Sequence, residues 1–313
     1  MNRAERAGRR LMLVHAHPDD ETITTGGTIA RYLAAGAEVT VVTCTMGEAG
    51  EVMDTADAQL VDQEADQLGG WRAWELRGAL AALSPAGEPP LRPLFLGGTG
   101  RFRDSGMAGA PSAEHPRAFA RADHADRAPG GPVWALTALL RERRPHVVAT
   151  YDTVGGYGHP DHIGAHRVTT SAVAAAADPA YAPELGAAWS VPKVYWTVSA
   201  EGQITDGVLR LRDDFCELPE GWRAPKLGVL PTHPDDEVTT MIDVSPVLEN
   251  KRAALRAHGT QLHLAATGTE FALTNRVAQP VLAEEAFILV SGEPGEVVDG
   301  YERDLFAGLP EIG

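Results

Sequence analysis

The chain of 313 residues contains little cysteine, little lysine and no long apolar run. Its two cysteines, Cys44 and Cys216, are too few for a disulfide framework or a thiolate zinc site. Cys44 falls inside the apolar stretch EVTVVTCT and reads as an inert core thiol. No segment reaches the roughly 18 consecutive apolar residues of a membrane-spanning helix. The basic start MNRAERAGRR is not read as a secretory signal, because the apolar run after it is short and LMLVHAH soon meets histidine and carboxylates. Positive charge is scarce as well. There are 27 basic and 43 acidic residues, and the formal charge is −16. That balance argues against nucleic acid or an anionic membrane as partner. It favours solubility and says little about substrate; the expectation is a cytoplasmic enzyme, with a homo-oligomer left open. Lysine occurs only at Lys193, Lys226 and Lys251.

What is present has an alternating order. RLMLVHA (10–16), EVTVVTCT (38–45), LRPLFLG (91–97) and HVVATYD (146–152) read as buried strands. Between them, helices are expected over 24–37, 55–69 and 132–145, and a further one over 161–177. This alternation predicts an α/β fold, Rossmann-like, with a mostly parallel sheet flanked by helices. Past residue 180 the pattern weakens into a smaller α+β portion. Strands are expected there over 192–199, 208–215 and 237–244, and a helix over 245–262 with Ser245 and Pro246 at its start. The segment 284–292 is ambiguous between helix and strand. The organisation expected is a catalytic part, 1–180, and a C-terminal portion, 181–313, which packs on it and completes a substrate cleft.

In parallel sheets ligands collect beyond the carboxyl ends of strands. Two strands here run directly into such loops. LMLVHA leads into HPDDE (17–21), and HVVATYD leads into TVGGYGHPDH (153–162). A turn after the first strand can bring His17 and Asp20 to one ion. A polar turn that merely caps the next helix explains that motif about equally well when it stands alone. The second loop adds His162. Together the three give two imidazoles and a carboxylate, with one position open, as in catalytic zinc sites. Ferrous iron suits the same donors. Asp19 then stands free as a general base. Tyr157 can meet an oxyanion, His159 can protonate a leaving amine, and Asp161 can orient a histidine.

VHAHPDDE followed by GGT, and later GYGHPDH, resembles the PIG-L-type zinc-dependent N-acetylglucosaminyl deacetylases. The likeness extends through VTCTMGEAGEV, DQLGGWRAWEL, LGGTGRFRDSGM, RPHVVATYDTVGGYGHPDH, VPKVYWTV and ALRAHGTQ. It is narrower still to the actinobacterial branch that serves mycothiol biosynthesis. The resemblance implies the same roles for His17, Asp20, His162, Asp19, Tyr157 and His159, and one Zn²⁺ per chain. It implies a pseudodisaccharide substrate, 1-O-(2-acetamido-2-deoxy-α-D-glucopyranosyl)-1D-myo-inositol, which loses acetate. It also implies sugar or inositol contacts from Arg72, Asp104, Met107 and Glu51. A related amidase of mycothiol S-conjugates carries lysine soon after its HPDDE. Here TITTGG follows, with no lysine, which favours the deacetylase. A metal-stabilised sugar-binding protein without catalysis would not need Asp19, Tyr157 and His159.

HPDDE occurs a second time, at 233–237. It precedes a strand instead of following one, and Pro231 and Pro234 stiffen it. The expectation is an exposed turn with His233 solvated, whose replacement leaves metal content and turnover near normal.

Overall fold

A computed structural model describes residues 6–122, 127–213 and 217–310. The elements are β1 (Arg10–His15), α1 (Asp20–Ala34), β2 (Glu38–Thr43), α2 (Leu68–Leu83), β3 (Leu94–Phe95), α3 (Pro132–Arg143), β4 (Val147–Thr150), a single turn α4 (Gly155–Gly158) and α5 (Pro160–Ala177). After them come β5 (Lys193–Val198), α6 (Glu201–Leu211), β6 (Thr240–Asp243), α7 (Leu248–Ala257), β7 (Leu262–Leu264), β8 (Glu270–Leu273), β9 (Ala278–Pro280), β10 (Glu284–Ser291), β11 (Val297–Val298) and β12 (Tyr301–Glu302).

Nine strands form one sheet in the order β11-β12-β6-β10-β5-β4-β1-β2-β3. From β3 to β5 every pairing is parallel. The order 3-2-1-4-5 is that of the Rossmann architecture, and it reverses direction between β1 and β4. β10 then runs antiparallel to both β5 and β6. The sheet therefore continues across residue 180 without a break. β7, β8 and β9 make a separate antiparallel sheet of three strands.

Side chains alternate across β1. Leu11 and Leu13 enter one core, with Ile29 of α1, Leu76 and Leu80 of α2 and Ala254 of α7. Met12 and Val14 enter the other, with Leu136 and Leu140 of α3 and Val168 and Ala172 of α5. Strands buried on both faces read as continuous apolar runs, and for that reason the sequence reveals them.

Three expected elements differ. The helix over 55–69 is instead a 3₁₀ stretch, Thr55–Leu60, with no buried residue, and the α-helix starts at Leu68. The acidic segment has no apolar face to bury, whereas LGGWRAWEL does, although its paired glycines resemble a stop. The strand over 208–215 is the end of α6. Val208 and Leu211 are buried while Leu209 is exposed, which is helical spacing hidden under an alternating VLRLR. Residues 214–216, including Cys216, lie outside the described residues. The helix expected over 245–262 is a 3₁₀ turn, Ser245–Val247, followed by α7, and it has ended before β7 begins. The ambiguous 284–292 is β10. No helix among the described residues is long and apolar enough to cross a membrane.

Candidate metal and active site

β1 and β4 are neighbours, so the loops leaving their carboxyl ends meet at the reversal point of the sheet. His17 to Asp20 follow β1, and His159 to His162 open α5 beyond β4. All of these except Pro18 and Pro160 carry imidazole or carboxyl side chains, and all six of those are buried.

Three atoms converge. Asp20 Oδ2 lies 3.4 Å from His17 Nδ1 and 3.4 Å from His162 Nε2. The His162 Nδ1 sits 3.2 Å from the Gly155 carbonyl, to which only an N–H can bond, so a neutral ring leaves Nε2 as a bare lone pair. That Nε2 is buried with no hydrogen-bond partner. The His17 Nε2 faces Asp161 Oδ2 at 3.3 Å and Asp104 Oδ1 at 3.5 Å, which draws the ring proton to that side and leaves Nδ1 toward Asp20. The bare His162 Nε2 lone pair faces a carboxylate oxygen, a contact that repels unless a cation lies between the two. A tetrahedral ion with bonds of about 2.0–2.1 Å has edges of about 3.3–3.4 Å. Two edges of such a site, Asp20 to His17 and Asp20 to His162, thus have the length a divalent metal needs. His159 offers a nitrogen close to those of His17 and His162, and Asp104 and Asp161 group with His17 in the same way. However, His159 Nδ1 already accepts the Asp161 N–H at 3.1 Å, and Asp161 Oδ2 accepts the Ser105 N–H at 2.9 Å.

The pocket is strongly anionic. Burial would raise the Asp20 carboxyl, but His162 and His17 hold it well below the usual carboxylate range. Burial acts likewise on Asp104, and His17 together with the Gly106 N–H outweighs it. His17 moves well above its ordinary value: burial opposes this, but Asp104, Asp161 and Asp20 prevail. Burial lowers His162 to about 4 and His159 to about 3.

Asp19 is held apart from this cluster. Its φ of 117° lies in the region that favours glycine, an outlier of the kind that gathers at functional sites. The strain is locked from several sides. The Asp19 N–H donates to Glu21 Oε2 at 2.9 Å, and Arg72 donates to the neighbouring Pro18 carbonyl at 2.6 Å. Arg72 also meets Asp19 Oδ2 at 3.2 Å. Burial pushes the Asp19 carboxyl up to about 7, with Arg72 drawing it back. A carboxylate poised near neutrality is suited to general-base work.

Tyr157 is 56 % exposed, and its ring stands edge-on to His162, 4.9 Å between centroids. Its hydroxyl has no hydrogen-bond partner among the described residues. The four expected substrate contacts divide. Arg72 and Asp104 are buried, engaged with Asp19 and His17 respectively. Met107 and Glu51 are exposed on the loops after β3 and β2.

Several participants carried signals that were not assigned a role. His258, in the ALRAHGTQ stretch, is fully buried and meets Glu21 Oε1 at 2.9 Å, so it braces the carboxylate that holds the Asp19 backbone. Tyr151 stacks on His162 at 4.2 Å and accepts the Ala16 N–H at 2.9 Å. The expectation of a solvated His233 is corrected. Asp235, Asp236 and Glu237 are exposed, but the His233 imidazole meets Asp152 Oδ2 at 2.8 Å and Glu237 Oε2 at 3.0 Å. Sequence spacing gave no hint that residues 152 and 233 meet.

The fold and these loops give a Rossmann-like scaffold with a buried His/Asp cluster at its switch point. The chain belongs to the GlcNAc-PI de-N-acetylase (PIG-L) family, whose model matches residues 12–173. It is 62% identical over 301 residues to the 1D-myo-inositol 2-acetamido-2-deoxy-alpha-D-glucopyranoside deacetylase of Tsukamurella paurometabola, covering 96% of this chain and 99% of that one. The enzyme of the same name from Rhodococcus jostii is 57% identical, covering 96% and 98%. Among solved structures, the N,N'-diacetylchitobiose deacetylase from Pyrococcus horikoshii superposes with a TM-score of 0.52 at 19% identity, covering 80% of this chain and 69% of that one. That likeness concerns the fold alone.

Proposed function

We propose that this chain hydrolyses the N-acetyl group of 1-O-(2-acetamido-2-deoxy-α-D-glucopyranosyl)-1D-myo-inositol, a cytoplasmic step of mycothiol biosynthesis that releases acetate and the free amine. The near-identical names of full-length relatives support the substrate. The observation that carries the chemistry is the meeting of His17 Nδ1, Asp20 Oδ2 and an unpartnered His162 Nε2 beside Asp19.

His17, Asp20 and His162 would hold one divalent ion per chain, taken as Zn²⁺, with Fe²⁺ acceptable to the same donors. Such an ion supplies Lewis acidity, acidifying water and polarising the acyl oxygen. Asp19 takes the proton of the attacking water, and Arg72 keeps its carboxylate aimed. Tyr157 donates its free hydroxyl to the oxyanion as the carbonyl carbon becomes tetrahedral. His159, which burial leaves neutral in the free site, takes up the proton that Asp19 removed from water and passes it to the departing nitrogen as the C–N bond breaks. Asp161 and Asp104 fix the His17 ring. Met107 and Glu51, both exposed, are the direct substrate contacts of the four expected, while Arg72 and Asp104 act through Asp19 and His17. The portion from residue 181 completes the cleft, and His258 at the end of α7 braces Glu21 behind it.

Turnover of two substrates in competition tests this reading. Zinc-loaded protein given equal GlcNAc-inositol and a mycothiol S-conjugate should release free amine from the first faster. Faster cleavage of the conjugate would make the chain an amidase, and binding without acetate release would remove catalysis altogether.

A further inference from the structure

The second HPDDE motif has no part in the metal cluster, yet its histidine reaches the loop that carries Tyr157. We propose that His233 is a positioning residue for the reaction: through Asp152 it fastens the glycine-rich loop that presents Tyr157 to the site.

The fastening is built at both ends. The backbone of His233 is tied to the end of β5, where its N–H donates to the Ser199 carbonyl at 2.8 Å and its carbonyl accepts the Glu201 N–H at 2.9 Å. Pro231 and Pro234 restrict the chain on either side. From this anchor the ring extends to the end of β4. Asp152, buried at 4% exposure, meets His233 through Oδ2 and accepts the Val154 and Gly156 N–H groups through Oδ1, at 3.0 and 2.9 Å. Tyr157 is the next residue.

The loop needs such a fastening. Gly155, Gly156 and Gly158 all have positive φ, and glycine moves among such conformations at little cost. Tyr157 is more than half exposed, so packing alone does not hold it. Both nitrogens of His233 face carboxylates, Asp152 and Glu237. Their pull outweighs burial and raises its pKa, and each ring nitrogen has a carboxylate oxygen to meet. A surface ion pair in water would add little. Here one partner is nearly out of solvent and has committed its other oxygen to two loop amides. β4 and β5 adjoin, and the contact therefore spans the sheet's carboxyl edge, tying a C-terminal turn to a catalytic loop.

The inference rests on the role proposed for Tyr157, and a double-mutant cycle separates the two. A misplaced oxyanion donor weakens the transition state and not the ground state. His233→Ala should therefore lower kcat about ten- to a hundredfold, with KM, bound metal and Tm near those of the parent. His233→Gln, which keeps an amide donor, should recover most of the loss. In a Tyr157→Phe background, His233→Ala should lower kcat no further. Full turnover by His233→Ala alongside an impaired Tyr157→Phe would overturn the inference alone, as would equal losses from His233→Ala in both backgrounds. Full turnover by Tyr157→Phe would overturn the reading of the site and this inference with it.

Discussion

Asp19 and Asp20 are adjacent and chemically identical, yet the fold gives them opposite surroundings. Asp20 is drawn between two imidazoles and held ionised, while Asp19 sits in a strained backbone against Arg72 with burial raising its carboxyl to about 7. If Asp19 is the base, Asp19→Asn should lower kcat by about 10²–10⁴-fold. Metal content, measured on the same sample, should stay at the parental level, because the cluster of His17, Asp20 and His162 is left whole. Loss of metal together with activity would instead make Asp19 a ligand. At this scale the sequence was informative for residues within one loop. HPDD and HPDH name the proposed ligands and their neighbours because strand ends deliver them together. It was silent on long-range partners. That Asp104 faces His17, or that His258 braces Glu21, follows from how separate loops fold back, and no local spacing encodes it.

Between elements, α1 comes very close to the chain just after β6. A Cβ on Gly27 would lie 2.4 Å from Val244 Cβ, whereas one on Gly26 would meet nothing nearer than 3.5 Å. Gly27→Ala must therefore push α1 away from the sheet, at a cost of about 1–3 kcal/mol. Gly26→Ala should be neutral or gain up to about 1 kcal/mol in helix propensity. Urea midpoints of the two variants check this, and equal midpoints would contradict the packing described. The same comparison explains which elements were legible. β1, β2 and β4 are buried on both faces and announce themselves as apolar runs. α6 was obscured by a VLRLR alternation that imitates a strand, and α2 by the two glycines at its start. The weak patterning after residue 180 has its own cause: six of the eight described strands there have four residues or fewer, too few to show a period.

Across the whole molecule, two of the three lysines are buried on carboxylates. Lys193 meets Glu302 at 2.7 Å, and Lys251 meets Glu285 at 2.7 Å. Glu285, on β10, also accepts the Gly27 and Thr28 N–H groups of α1. One carboxylate thus joins the helix behind the HPDD loop to α7 and to the C-terminal half of the sheet. Glu285→Ala leaves Lys251 buried without its partner and should cost about 3–5 kcal/mol, read as a lowered urea midpoint. A change under 1 kcal/mol would mean that the two halves are held together elsewhere. The overall architecture was readable from the alternation of strands and helices, but this cross-link was not, since residues 27, 251 and 285 are brought together only by the completed sheet. The central claim, that one ion bound by His17, Asp20 and His162 drives removal of the acetyl group, is tested most directly by titrating metal-stripped protein with Zn²⁺ while following amine release from GlcNAc-inositol. The account predicts negligible turnover without metal, a linear rise, and a plateau at one equivalent per chain that is abolished in His162→Ala. Undiminished turnover by the stripped protein, or a plateau reached only at two equivalents, would contradict it.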